Sequence, residues 1–269
     1  MVEVKSQGDK RKRFFIFLFL CFYVSMLVLA IVFARSEGAL VGMAVGLFAL
    51  IFGLAGGRAR WGIGLICLIG LIGLMLAAPA RQLIMEKATF SDLSGQIRLQ
   101  QWKETWNMLK DGRLITGAGL ANYQTAIKPY HQAGIFFNFD NDPNFRNNLV
   151  FGGADYKAKH WQPTEIYLYP HNFFLNFWSE TGLLGLIAIL LILIKFFTDY
   201  LRTDQARRPL YLVLISVMIA IVVHGLVDVQ YFKNDLSVLF WLVIGCAVLI
   251  QKQERAEQGA KGRQGARGQ

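Results

Sequence analysis

The chain has 269 residues, 54% of them hydrophobic, and a formal net charge of +10. A mean hydropathy of +0.38 is too high for an ordinary soluble domain and fits a polytopic membrane protein. The positive charge needs no nucleic acid to explain it, because the basic residues cluster in short segments beside apolar runs.

A spanning helix needs roughly 20 apolar residues to cross a hydrocarbon core about 30 Å thick. The first candidate, about 14–34, follows Lys10, Arg11, Lys12 and Arg13. Its apolar run is too long for a cleaved signal and lacks a small-x-small exit, so it reads as a signal anchor. Candidates at about 39–56 and 61–79 follow, joined through Arg58 and Arg60. Residues 80–170 make one long connection, and a connection of that length is usually functional or separately structured. Three further runs lie at about 173–197, 210–227 and 236–250, the last short enough to need tilt or snorkelling. Arg202, Arg207 and Arg208 separate the fourth and fifth. Lys252, Arg255, Lys261, Arg263 and Arg267 lie in a Gly/Gln-rich tail expected to be disordered. For any single run the alternative is a buried core helix; six together favour spanning. With six spans all these basic segments fall on one side, which the positive-inside rule makes the cytoplasm. The basic tails also suit contact with anionic lipid.

The expected fold is therefore an all-α polytopic membrane helix bundle. Residues 1–79 carry three transmembrane helices, 80–170 an extracytoplasmic segment, 171–250 three more helices, and 251–269 the basic tail. Cys21, Cys67 and Cys246 lie inside spans without C-x-x-C spacing and read as small packing residues.

Within the long segment, "SGQIRLQQWKETWNMLKDG" places Arg98, Trp102, Thr105, Trp106 and Leu109 at helical spacing. Ser94 is the expected cap and Gly112 the stop. The tryptophans suit a helix lying at the membrane interface. "ITGAGLANY" reads as a Gly-rich turn. Asp140, Asp142 and Asn144 mimic the start of a calcium loop, but Phe145 and Phe151 stand where such a loop needs Gly and Glu.

In "YLYPHNFFLNFWSETGLLG", Tyr167 and Tyr169 suit the interface and Pro170 breaks what precedes it. That exposes His171 at the mouth of the fourth span. Asn172, Asn176 and Glu180 recur every four residues on one stripe, which should face the bundle interior or a wet cavity. Equally, Asn176 and Glu180 could be helix glue and His171 an interfacial filler. Gly182 and Gly185 allow a neighbouring helix to approach closely. Arg35 and Glu37 end the first span, and His224 and Asp228 end the fifth at i, i+4 spacing, either orienting the imidazole or making a capping contact. With Arg81 and Arg98 these residues gather at one membrane face. That suggests an anionic lipid-linked substrate and acid–base chemistry. No H-E-x-x-H, Walker loop, G-x-S-x-G or strand-borne G-x-G-x-x-G is present, so metal, nucleotide and serine-hydrolase readings lack support.

"HNFFLNFWSETGLLG" resembles the His-Asn, nine residues, Gly-x-x-Gly pattern of the O-antigen ligase and O-antigen polymerase family. "SEGALVG" looks like its Ser-Arg-Gly-Ala segment, and "GQIRLQQWKETWNMLKDGRLITGAGLANY" like its Arg–Trp helix followed by a GxGLxNY turn. "HGLVDVQYFKNDLSVLFWLVIG" resembles its last two helices. The four segments occur in the family's order over nearly the whole chain.

The resemblance implies a glycosyltransferase that takes a glycan from an undecaprenyl-diphosphate carrier to an acceptor hydroxyl, outside the cytoplasmic membrane. It also implies a glycan or lipid acceptor and a reaction that uses no metal, nucleotide sugar or other cofactor. By resemblance His171 is the general base and Arg98 binds the carrier diphosphate, with Arg35 a second candidate. Asn172, Glu180, His224 and Asp228 complete the expected substrate-binding set. Two departures stand out. Arg35 lies two places before the position where relatives carry arginine, now Glu37, and such a shift on a helix changes face. Family members also have about a dozen spans, so the chain looks like a C-terminal half, either a split version or a late start. A non-catalytic partner subunit and a transporter remain alternative readings; a transporter would string polar residues across the midplane.

Overall fold

The computed structural model describes residues 2–232 and 236–267. It is an all-α polytopic bundle with one two-stranded pair. The long helices are α1 (Val2–Phe33), α2 (Glu37–Leu54) and α3 (Gly57–Leu76) in the first part. The intervening segment holds α4 (Ala78–Ala88), α5 (Leu93–Met108), α6 (Tyr123–Ala126), β1 (Gly134–Phe136), α7 (Phe145–Phe151), α8 (Gly153–His160) and β2 (Trp161–Pro163). The last part holds α9 (Phe173–Arg202), α10 (Arg208–Gly225) and α11 (Leu236–Arg267). Among the described residues, five helices (α2, α3, α9, α10 and α11) are long and apolar enough to cross a membrane. α1, the expected first span, carries a shorter apolar stretch, Phe17–Ala30.

Local chemistry sets the boundaries. Ser36 caps α2, its hydroxyl accepting the Ala39 N–H. Extended backbone at Ala77 and Pro79 in the next turn end α3 at Leu76 and start α4. α11 does not stop at residue 250. It runs on to Arg267 through the stretch expected to be disordered, because Gln, Lys, Glu, Arg and Ala are good helix formers and the stretch is pinned. Buried Glu254 accepts the Asp204 N–H at 3.0 Å, and Glu257 pairs with Arg207. The side chains of Lys10 to Arg13, of Lys261 and of Arg267, and the Lys233–Asp235 part of the last motif, lie outside the described residues.

α2 and α10 pack antiparallel along a seam of glycines. A Cβ at Gly42 or Gly46 would sit 2.7 Å from the Ala220 or Ser216 carbonyl oxygen, so only glycine permits this approach. The main core lies among α9, α10 and α11, around Phe173, Ile189, Phe196, Tyr211, Met218 and Phe240. α3 buries no residue. Cys21 and Cys67 are exposed rather than packed, and only Cys246 is half-buried.

The segment between α3 and α9 has its own small core of Met108, Leu109, Tyr123, Ala126 and Ile127. Burial pushes the Tyr123 phenol well above its ordinary pKa, and its oxygen lies 2.7 Å from the Thr105 hydroxyl. The antiparallel β1–β2 pair, register Ile135 opposite Gln162, was not legible in the sequence. Three residues per strand are too few for a period to show. Asp142 is a turn organiser, accepting from Asn144 N–H, the Asn148 amide and the Tyr156 hydroxyl, which hold its carboxyl below the usual range.

α9 is two helices in one. Gly182 has φ +72° and breaks it. The Gly-rich turn docks at this break: Ala118 N–H donates to the Ser179 carbonyl at 2.7 Å, Gly119 N–H to the Glu180 carbonyl at 3.0 Å, and Leu183 N–H to the Ile115 carbonyl at 3.0 Å. The part after Gly182 still extends about 30 Å, enough to span alone.

Candidate active site

The N-cap of α5 is Asp92, whose carboxylate accepts the Gly95 N–H, and not Ser94. Starting the helix two residues earlier moves Arg98 from the first turn to the second, away from the unpaired N–H groups of the helix end. Its guanidinium is held in place: Nε donates to the Val227 carbonyl at 3.0 Å and Nη1 to the Ser94 hydroxyl at 2.6 Å. Two donors of the fork are thus committed to protein. Among the described residues Nη2 makes no such bond.

A lysine ties this helix start to α2. Lys87 lies 2.8 Å from Asp92 and 2.9 Å from Glu37. The hydrogen bond to Asp92, then that to Glu37, raises its pKa above the ordinary lysine value. Glu37 is thereby accounted for. Arg35, in the turn between α1 and α2, is exposed, with φ +49°. No hydrogen bond or ion pair among the described residues holds it.

His171 also has a left-handed backbone, φ +46°. A non-glycine residue there stores on the order of 1–3 kcal/mol unless its surroundings over-determine it. Here they do. The Trp102 indole N–H donates to the Pro170 carbonyl at 2.7 Å, just before His171. Asn172, just after it, caps α9 by accepting the Leu175 N–H at 2.9 Å and donates to the Leu226 carbonyl at 2.9 Å. The imidazole stands edge-on to the Tyr167 ring at 5.1 Å and beside Tyr169 at 5.4 Å. Asn172 and Arg98 thus grip successive carbonyls, Leu226 and Val227, past the end of α10, and α5, α9 and α10 meet at one point.

At that point lies a cavity of about 220 Å³. Ser94, Arg98, Gln101, Tyr167 and His171 border it, with Leu93 and Ile97 as its apolar wall. Gln101, Tyr167 and the docking role of Trp102 were missed from the sequence. The helical spacing of Trp102 from Arg98 was visible, but its partner, a carbonyl far along the chain, was not.

The other expected residues lie elsewhere. His224 and Asp228 approach to 3.7 Å (Nε2 to Oδ2), and Asp228 also accepts the Val229 N–H. Neither borders the Arg98–His171 cavity. His224 lies against Gly38, where a Cβ would come within 2.9 Å of its ring, and lines a separate apolar cleft of about 570 Å³ between α2, α10 and α11. Glu180 is buried and used structurally: its carboxylate accepts the Ala121 N–H at 3.4 Å and its carbonyl holds the Gly-rich turn. Of the two expected surroundings of the stripe, Asn176 and Glu180 have the bundle interior and not a wet cavity. Asn176 on that stripe is fully buried, with no partner for its amide among the described residues.

A half-buried imidazole and an anchored guanidinium bordering one cavity at an end of a helix bundle fit transfer chemistry on an anionic, membrane-borne substrate. No curated protein and no solved structure matches the chain. A family model described as O-antigen ligase matches residues 21–190, which hold the Arg98 helix, the Gly-rich turn and the His171–Asn172 turn. This match covers more than half of the chain, and the protein is a multi-pass membrane member of the O-antigen ligase family.

Proposed function

We propose that the protein transfers a glycan from an undecaprenyl-diphosphate carrier to an acceptor hydroxyl, at the outer face of the cytoplasmic membrane. The observation that carries the reading is that Arg98 and His171, from distant parts of the chain, border one cavity. His171 removes the proton of the acceptor hydroxyl. The oxygen attacks the anomeric carbon, the bond from that carbon to the diphosphate oxygen breaks, and the carrier diphosphate leaves. An imidazole titrates near neutral pH and suits the first step. A guanidinium fixed beforehand stabilises the charge that grows on the leaving diphosphate. Arg98 serves there through Nη2, its other bonds holding it in position. Arg35, exposed in a turn that Glu37 and Lys87 link to the start of α5, is a second cation for the diphosphate.

The test is transfer by the purified full chain in lipid vesicles, given a carrier-linked oligosaccharide and glycan or lipid acceptors. Product with release of the carrier diphosphate is expected, and its absence with every acceptor sinks the reading. Orientation is checked on intact cells with an impermeant thiol reagent. Ala154→Cys, exposed in α8, should label and Gly259→Cys should not; the reverse pattern puts the cavity on the wrong side.

A further inference from the structure

Gln101 borders the same cavity, and the proposed reaction leaves its amide without a task. It projects from α5 one turn beyond Arg98 and is only 7% exposed. Neither its amide oxygen nor its amide nitrogen has a hydrogen-bond partner among the described residues. A buried amide left in this state is unfavourable, since its water is removed and nothing replaces it. An unmet donor and acceptor at a cavity of mixed apolar and polar lining is what a binding site looks like before its ligand arrives.

We propose that Gln101 is a sugar-binding residue of this cavity. Its amide contacts the glycosyl residue next to the diphosphate, pairing with a substituent that offers both a donor and an acceptor. Vicinal hydroxyls and an acetamido group share that chemistry. The terminal torsion of glutamine is broad, so turning the amide to the ligand needs no backbone change. Arg98 holds the diphosphate and His171 the acceptor hydroxyl, so Gln101 selects the sugar between them. This rests on the transferase reading above.

Gln101→Leu separates this role from a structural one, because leucine fills similar space without the orphaned polar atoms. The variant should unfold at the same temperature or higher, while KM for the carrier-linked donor rises about tenfold or more with kcat little changed, as for loss of a contact made in ground and transition states alike. Donors lacking the 2-acetamido group or one vicinal hydroxyl should lose the wild-type advantage, and whichever does so identifies the group. Unchanged donor KM in a Gln101→Leu protein, with wild-type transfer intact, overturns this inference alone. A wild-type chain with no transfer removes the reaction itself, and this proposal with it.

Discussion

His171 stands just before the polar stripe of Asn172, Asn176 and Glu180, Glu180 ends it, and the structure uses these two residues differently. At the first end the backbone is forced into a left-handed turn, clamped by Trp102 and Asn172, and the imidazole borders a cavity. At the second end the carboxylate is turned inward onto the Ala121 N–H, and the helix breaks two residues later at Gly182. One end spends its interactions on the backbone and leaves the side chain at a cavity; the other spends the side chain on the backbone. Spacing of i, i+4 says that residues share a face, not what that face meets.

The sharpest way to break this contrast is His171→Gln. Glutamine can hydrogen-bond but cannot take a proton near neutral pH, so transfer should fall by about 10²–10⁴-fold while the protein still inserts in the membrane. Near-wild-type turnover in the carrier-linked assay would move the base away from His171.

Next is Gly182→Ala, which tests the structural end. A Cβ there would lie 2.0 Å from the Ile115 carbonyl oxygen, on a backbone with φ +72°. Strain alone is on the order of 1–3 kcal/mol, and the clash adds to it. The melting temperature in detergent should drop and protease should reach the Gly-rich turn. An unchanged melting curve would mean that the turn does not depend on this contact.

Arg98→Lys keeps the charge but cannot reproduce the bonds to Val227 and Ser94 and still face the cavity. Transfer should weaken by about 1–3 kcal/mol of charge-assisted bonding, read as donor kcat/KM, and Arg98→Ala should be worse. An Arg98→Ala protein with unchanged kinetics leaves the diphosphate role without support.

The smallest effect belongs to Glu180→Gln. Glutamine keeps an acceptor for a bond that is already long at 3.4 Å, so stability should change by less than about 1 kcal/mol and donor KM should not move. A large rise in donor KM would return Glu180 to the substrate and erase the contrast.

Much of the architecture was legible because it depends on local chemistry. Five helices long and apolar enough to span follow from apolar runs that have no stable place in water, whereas the break at Ala77 and Pro79 that starts α4 was not read from the sequence. The Arg–Trp helix and the Gly-rich turn were readable for the same reason, as was the family from four segments in order. The α5 cap was misplaced because Ser94 and Asp92 both suit an N-cap, and only the packed chain shows which carboxylate or hydroxyl meets an N–H. Composition also misled at the tail, where pairing of Glu254 and Glu257 with the α9–α10 connection extends a helix that sequence alone leaves marginal.

By itself the sequence determined which segments are helices in a membrane and which residue types are available for chemistry, since both follow from short-range pattern and hydration. Only the tertiary structure decided which of those residues meet. Arg98 reaches Val227, Trp102 reaches Pro170 and Asn172 reaches Leu226 across long stretches of chain, and together they form the cavity that His171 and Gln101 border. Glu180, expected from the sequence in the substrate-binding set, is drawn off by a backbone N–H that the fold happens to bring within its reach. Contacts of this kind depend on the packing of whole elements, which no local spacing encodes.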